Sequence, residues 1–231
     1  MLEVHVVTDR NRFLYEGAYA SHAPVVASRP SREMPCPIPA RLLRQDDLLG
    51  CCDPVVDGGT LLLGIEEGRV AAASRLMPSC GPNRLRGLPQ LAVERGLPDR
   101  AQWADWTRLP AEADACAARE EVTFAAMACA VMEYALEEGV EWVGGVEDAY
   151  WLPRWESLGW HVQVLGLPAR IEGASKVAAF MRVDERSLAS ARRLAGTSRP
   201  VLRRHGPQKP FLPAMPPHSL SPHRPETKHA R

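Results

Sequence analysis

Apolar and polar positions alternate from the first residues: Leu2, Val4 and Val6 interleave with Glu3 and His5, the period of a strand with one buried face. Thr8 then stands where an N-cap would, predicting a helix over 9–16. From 21 to 59 the pattern disappears. Prolines at 24, 30, 35, 37, 39 and 54 interrupt every candidate element except a short helix at 40–49. Alternation returns in Thr60-Leu61-Leu62-Leu63-Gly64-Ile65, turns at Glu66-Glu67-Gly68 and runs from Arg69 to Met77, an antiparallel hairpin whose second strand puts Arg69, Ala71, Ala73 and Arg75 on one face. Residues 79–100 read as a loop with a helical turn near 88–94.

The stretch Trp103-Ala104-Asp105-Trp106-Thr107-Arg108-Leu109 is aromatic and β-prone, and is expected to be the central strand. Trp103, Asp105 and Thr107 then point one way, and Ala104, Trp106 and Arg108 the other. The strongest helical period follows over 117–138, where Val122, Ala125, Ala126, Cys129, Met132 and Leu136 recur at three and four before Gly139 ends the helix. A strand at 140–146, a helix at 148–158, strands at 160–165 and 177–182 and a helix at 185–194 complete the body. This order fits an α/β sandwich and neither a doubly wound sheet nor a barrel.

Charge divides the chain. Seven of the 28 basic residues but one of the 28 acidic residues fall in 196–231, which leaves residues 1–195 with 21 basic against 27 acidic, a net of −6. With eight prolines and few apolar residues, 196–231 is expected to be a disordered basic tail. The six cysteines show no C-x-x-C and no metal-ligand spacing, and no apolar run is long enough to span a bilayer. A reduced, cytoplasmic protein is expected, without metal and with neither nucleic acid nor membrane as a partner.

Three blocks then arrive in a familiar order: Val4-His5-Val6-Val7-Thr8-Asp9-Arg10-Asn11-Arg12; Gly68-Arg69-Val70 followed by Ser74-Arg75-Leu76-Met77-Pro78-Ser79; and Trp103-x-Asp105-x-x-Arg108. With Gly159-Trp160 and Leu165-Gly166-Leu167-Pro168 further on, the chain resembles the acyl-homoserine lactone synthases over 1–16 and about 60–190. The resemblance implies a GNAT-like fold: a three-layer α/β/α sandwich around a mixed, mostly antiparallel sheet, with one domain over 1–195 and the tail beyond it. It also implies quorum-sensing signal production, by transfer of an acyl group from acyl carrier protein or acyl-CoA to the amine of S-adenosylmethionine, followed by lactonisation. No cofactor beyond these substrates is implied.

On the matching positions Asp105 and Arg108 become the candidate catalytic residues, and Arg75, Arg108, Trp103 and Trp142 the candidate substrate-binding residues. An α-amine with a pKa of about 7.7–8.0 is mostly protonated near neutral pH and needs a base before it can attack a thioester. A guanidinium offers a bidentate clamp for the substrate carboxylate. The family carries Glu where this chain has Asp105, one methylene longer, and an R-x-x-x-F helix, a Trp and a D-x-x-D pair that 21–59 lacks in register. That segment is either a divergent lid or the product of a local frameshift. Two other readings stay open. One is a degenerate, inactive family member. The other is a different GNAT-type enzyme using acyl-CoA, although Ala113-Asp114-Ala115-Cys116-Ala117-Ala118 is no pyrophosphate loop.

Overall fold

The computed structural model describes residues 2–15, 59–81, 84–109 and 117–212, with the backbone alone for 108, 109 and 117–120. Apart from Gly59, the irregular segment expected at 21–59 lies outside the described residues, as does 213–231. The strands are β1 (Glu3–Val7), β2 (Thr60–Glu66), β3 (Arg69–Pro78), β4 (Trp103–Leu109), β5 (Trp142–Asp148), β6 (Val162–Val164), β7 (Ala169–Ile171), β8 (Ala174–Arg182) and β9 (Leu202–Arg203). Among the described residues the helices are α1 (Ala117–Glu137), α2 (Leu152–Ser157) and α3 (Glu185–Leu194).

The strands form one mixed sheet in the order β6-β8-β5-β4-β3-β2-β1-β9, with β7 added to β8. Every pairing is antiparallel except β4 with β5 and β1 with β9. This is the mixed, mostly antiparallel sheet that the sequence led us to expect. All three helices lie on one face: Met127 to Ala135 of α1, Trp155 of α2, and Leu188 and Ala191 of α3 share a core with Val4, Leu62, Leu76, Trp106, Val143 and Met181. The opposite face carries a second cluster of Trp142, Phe180, Leu165 and Ala178, covered by two 3-10 turns at Arg84–Gly87 and Pro89–Ala92.

Both two-residue hairpins use the dipeptide Glu-Gly. Glu67 and Gly68 have φ of 51° and 78°, and Glu172 and Gly173 have 53° and 85°, the two positive values that match a tight turn to strand twist. The second hairpin supplies β7, which periodicity in a three-residue strand could not reveal. The helix expected over 9–16 is replaced by a 3-10 turn at Arg12–Tyr15. Buried Asn11 is the reason: its Oδ1 accepts from the Thr8 main chain at 2.7 Å, and its Nδ2 donates to Val6 O and His205 O, both at 2.8 Å. The helix expected over 148–158 opens as a 3-10 turn, Ala149–Trp151, and becomes α2 at Leu152, with Pro153 in the first turn where its missing N–H costs nothing.

The boundary expected at Gly196 falls too early. Residues 200–212 fold back along the sheet edge, β9 pairing with β1 and Phe211 buried against Tyr134 with ring centroids 6.1 Å apart. The anchor is Glu133 of α1, whose side chain is 3% exposed. Oε1 accepts two bonds from the Arg192 guanidinium, and Oε2 accepts the Val201 and Leu202 main-chain N–H groups at 2.9 and 3.3 Å. Arg204 adds pairs to Glu137 and Glu138 at 2.8 and 3.0 Å. A segment too polar and proline-rich to form a core of its own is thereby held by carboxylates of α1. Glu133→Ala is expected to lower stability by about 3 kcal/mol in urea denaturation, because it leaves a guanidinium and two N–H groups without their acceptor; Glu133→Gln, which keeps a carbonyl acceptor, should lose less.

Candidate active site

β4 is held by β3 along its whole length, with Ala73 to Pro78 opposite Leu109 to Ala104. On its other side it pairs with β5 over three positions: Trp103 with Trp142, Ala104 with Val143 and Asp105 with Gly144. Beyond that rung the two parallel strands part, β5 remaining with β8 as far as Asp148. Two adjacent strands that separate toward their carboxyl ends open a gap in the middle of the sheet. Asp105 sits at its apex.

Glycine lets β5 occupy this position. A Cβ on Gly144 would run into the Ala179 carbonyl of β8, and one on Gly145, whose φ is 157°, would lie 3.0 Å from Asp105 Oδ2. Two glycines inside a strand are the sequence sign of close backbone approach. The carboxylate leans over β5 at the point where β5 offers no side chain.

Asp105 is 5% exposed. Burial pushes its pKa up, and the Arg75 guanidinium, a hydrogen bond from Thr107 Oγ1 to Oδ1 at 3.2 Å and the charge of Arg84 pull it down without cancelling the rise. Arg75 stands opposite Thr107 and Met77 opposite Asp105, so Arg75 and Asp105 are diagonal neighbours on one face. The Nε of Arg75 is buried and has no hydrogen-bond partner among the described residues. A buried donor of this kind is costly unless a ligand meets it.

One rung below, Trp103 and Trp142 stack with centroids 5.1 Å apart, and Phe180 meets Trp103 edge-on at 4.9 Å. Arg182 lies 5.4 Å over the Trp142 ring. These aromatics form an apolar floor beside the carboxylate. At the far end of the same face Lys176 Nζ and Asp148 Oδ1 form a buried ion pair at 2.9 Å.

Of the residues singled out in the sequence, Asp105, Arg75, Trp103 and Trp142 therefore come together. Arg108 does not join them by register: it pairs with Ser74, on the alternation of Trp106, whose indole N–H donates to Ser74 Oγ at 3.1 Å on the α1 side. Sequence reasoning missed Thr107, although its place two residues after Asp105 already put it on the same face. It also missed the role of Gly144 and Gly145.

Residues 57–191, more than half of the chain, match the autoinducer synthase family. An isovaleryl-homoserine lactone synthase of Bradyrhizobium diazoefficiens is 28% identical over 191 residues, 80% of this chain and 82% of that protein. The solved structure of BjaI, a CoA-dependent acyl-homoserine lactone synthase with S-adenosylmethionine and isopentyl-CoA, superposes with a TM-score of 0.77 and 27% identity, covering 91% of this chain and 97% of that one. MesI, a second CoA-dependent acyl-homoserine lactone synthase, shares the fold, with a TM-score of 0.66 at 22% identity over 86% of this chain and 98% of that one.

The raised pKa of Asp105 has a measurable consequence. An unfolded Asp titrates near its ordinary value, and the folded carboxyl titrates higher, so between the two values the folded protein holds a proton that the unfolded chain has lost. Stability therefore falls as pH rises through that window and stays lower above it. Asp105→Asn, which does not titrate, is expected to melt a few degrees higher than the natural sequence at pH 7, and this gap should close as the pH is lowered toward the ordinary carboxylate range.

Proposed function

Because the chain belongs to the autoinducer synthase family, we propose that it is an acyl-homoserine lactone synthase taking its acyl group from acyl-CoA and passing it to the amine of S-adenosylmethionine. The observation that carries this reading is the buried carboxylate of Asp105 at the apex of the β4–β5 gap, with the Nε of Arg75 beside it on the same face. A base whose pKa has moved up toward that of the amine takes the ammonium proton more readily than an ordinary carboxylate would. The freed amine attacks the thioester carbonyl, the C–S bond breaks, and coenzyme A leaves as its thiolate. A main-chain N–H of β4, where it has left β5, would meet the oxyanion.

Arg75 serves the second half of the reaction. The substrate carboxylate, once held by its guanidinium, is the nucleophile that closes on the carbon bonded to sulfur, expelling methylthioadenosine and leaving the lactone. A bidentate grip keeps that carboxylate ionised and oriented. The stacked Trp103 and Trp142 support the methionyl part from below. No cofactor beyond the two substrates is required.

The match to BjaI, a CoA-dependent synthase, favours CoA over acyl carrier protein.

Cells expressing the chain should release N-acyl-homoserine lactone detectable by mass spectrometry. Asp105→Asn should lower turnover by at least about 100-fold, and Arg75→Gln should weaken S-adenosylmethionine binding by roughly ten-fold or more. In purified form, acyl-CoA should outperform acyl carrier protein as donor. Absence of lactone from soluble, folded protein supplied with both donors would sink the activity and leave a degenerate family member.

A further inference from the structure

We propose that the stacked imidazoles of His5 and His205 form an acid-sensitive latch, which holds the returning segment 203–209 on the edge of β1 and opens when both rings carry a proton. This device is independent of the reaction at Asp105. The returning segment is fastened at its two ends by carboxylates at the carboxyl end of α1: Glu133 accepts the Val201 and Leu202 N–H groups, and Glu138 accepts the Phe211 N–H at 2.9 Å. Between these anchors the ladder with β1 lasts two rungs, Val4 with Leu202 and His5 with Arg203. Residues 203–210 are then mostly exposed, and few contacts tie them to β1 and the turn after it. The His205 ring lies over the His5 ring with centroids 5.3 Å and planes 25° apart, and the His205 carbonyl accepts from Asn11 Nδ2 at 2.8 Å. Gln208 Nε2 donates to Val6 O at 3.4 Å, and the Lys209 N–H to Thr8 Oγ1 at 3.2 Å.

The groups around His5 decide how much charge the pair can carry. Its side chain is 14% exposed. Among the described residues its own strand supplies Glu3, whose Oε2 lies 3.8 Å from His5 Nε2, and the 3-10 turn supplies Tyr15, whose hydroxyl lies 3.3 Å from His5 Nδ1. The returning segment supplies His205 and Arg203, while β2 sets the apolar Leu63 opposite. Glu3 is already shared, because its Oε1 accepts from Arg203 Nε at 3.1 Å. One proton on the two rings therefore has a carboxylate to answer it. A second sets two cations face to face beside the Arg203 guanidinium, with one carboxylate for all three. Burial and the charges of His205 and Arg203 hold the His5 pKa below its ordinary value, against the opposing pull of Glu3. His5 freed from these neighbours takes up its proton near pH 6.5, and latched His5 only at lower pH, so the latch is at full strength above that window and weakens as pH falls through it. Opening bares the outer edge of β1, a row of main-chain groups able to pair with another strand.

Hydrogen exchange of the full-length protein, read by mass spectrometry from about pH 7.5 to about pH 5.5 and corrected for the intrinsic pH dependence of exchange, tests the latch. Protection of peptides over 3–8 and 202–210 should fall about ten-fold across this range, while protection of α1 over 125–135 stays within about two-fold. His5→Phe keeps a ring in the stack and does not titrate. It should hold neutral-pH protection within about two-fold of the natural protein and abolish most of the fall. His205→Gln removes the second site of charge and should flatten the profile as well; because His205 is exposed, this variant decides the matter even where His5→Phe fails to fold. A flat profile in the natural protein overturns the latch. A fall that survives in either folded variant assigns the acid sensitivity to the Glu133 and Glu138 anchors and overturns it too. So does a fall shared by α1, which is unfolding of the whole domain.

Discussion

The short partnership between β4 and β5 governs the rest of the molecule. Each strand is committed to an antiparallel neighbour on its outer side, β4 to β3 and β5 to β8. Between themselves they share three rungs. A longer parallel ladder would close the centre of the sheet and leave Asp105 facing a packed surface. A shorter one would let the halves slide and lose the register that sets Asp105 beside Gly144. Gly144 helps set the length, since the close passage of the β8 backbone leaves no space for a side chain and draws β5 toward β8.

A sheet opened at its centre needs its halves fastened elsewhere, and α1 does this. The helix packs across β1, β2 and β3 through Met127 and Tyr134, and the latter's hydroxyl lies 2.7 Å from Thr60 Oγ1. Its buried Glu133 then joins α3 to the returning carboxyl-terminal segment. A buried carboxylate is expensive unless its oxygens are fully used. Here a guanidinium and two main-chain donors use them. The same contacts cover the edge of β1, which would otherwise present unpaired main-chain groups along one margin of the sheet.

Strand and helix positions were legible where one periodicity ran long enough, as in the β2–β3 hairpin, β4, α1 and α3. The family resemblance was carried by short residue blocks in β1, β3 and β4 and after α2. Elements that depend on distant partners were not legible. β7 has three residues, too few for alternation to show, and β9 has two. Residues 200–212 look unfoldable in composition because their order comes from Glu133, Glu137, Glu138 and Asn11, none within 60 positions. Of the site, strand alternation put Asp105, Thr107 and Trp103 on one face and separated Arg108 from them.

The shorter side chain of Asp105 follows a compensation visible in the neighbouring strand. The family's glutamate would reach the amine from β4 by its own length. An aspartate at the same point is one methylene shorter, so its carboxylate stays near the backbone and must gain reach by leaning. Gly145 eases that, because a Cβ there would crowd Oδ2 at 3.0 Å. Burial of the group raises its pKa, which in the role proposed for it brings it closer to an amine titrating at about 7.7–8.0. In the role proposed for Asp105, reach lost with the shorter side chain is offset by a gain in basicity. The three changes of scale, one methylene on β4, one missing methyl on β5 and one desolvated carboxylate, belong to a single arrangement, and altering any of them shifts the other two.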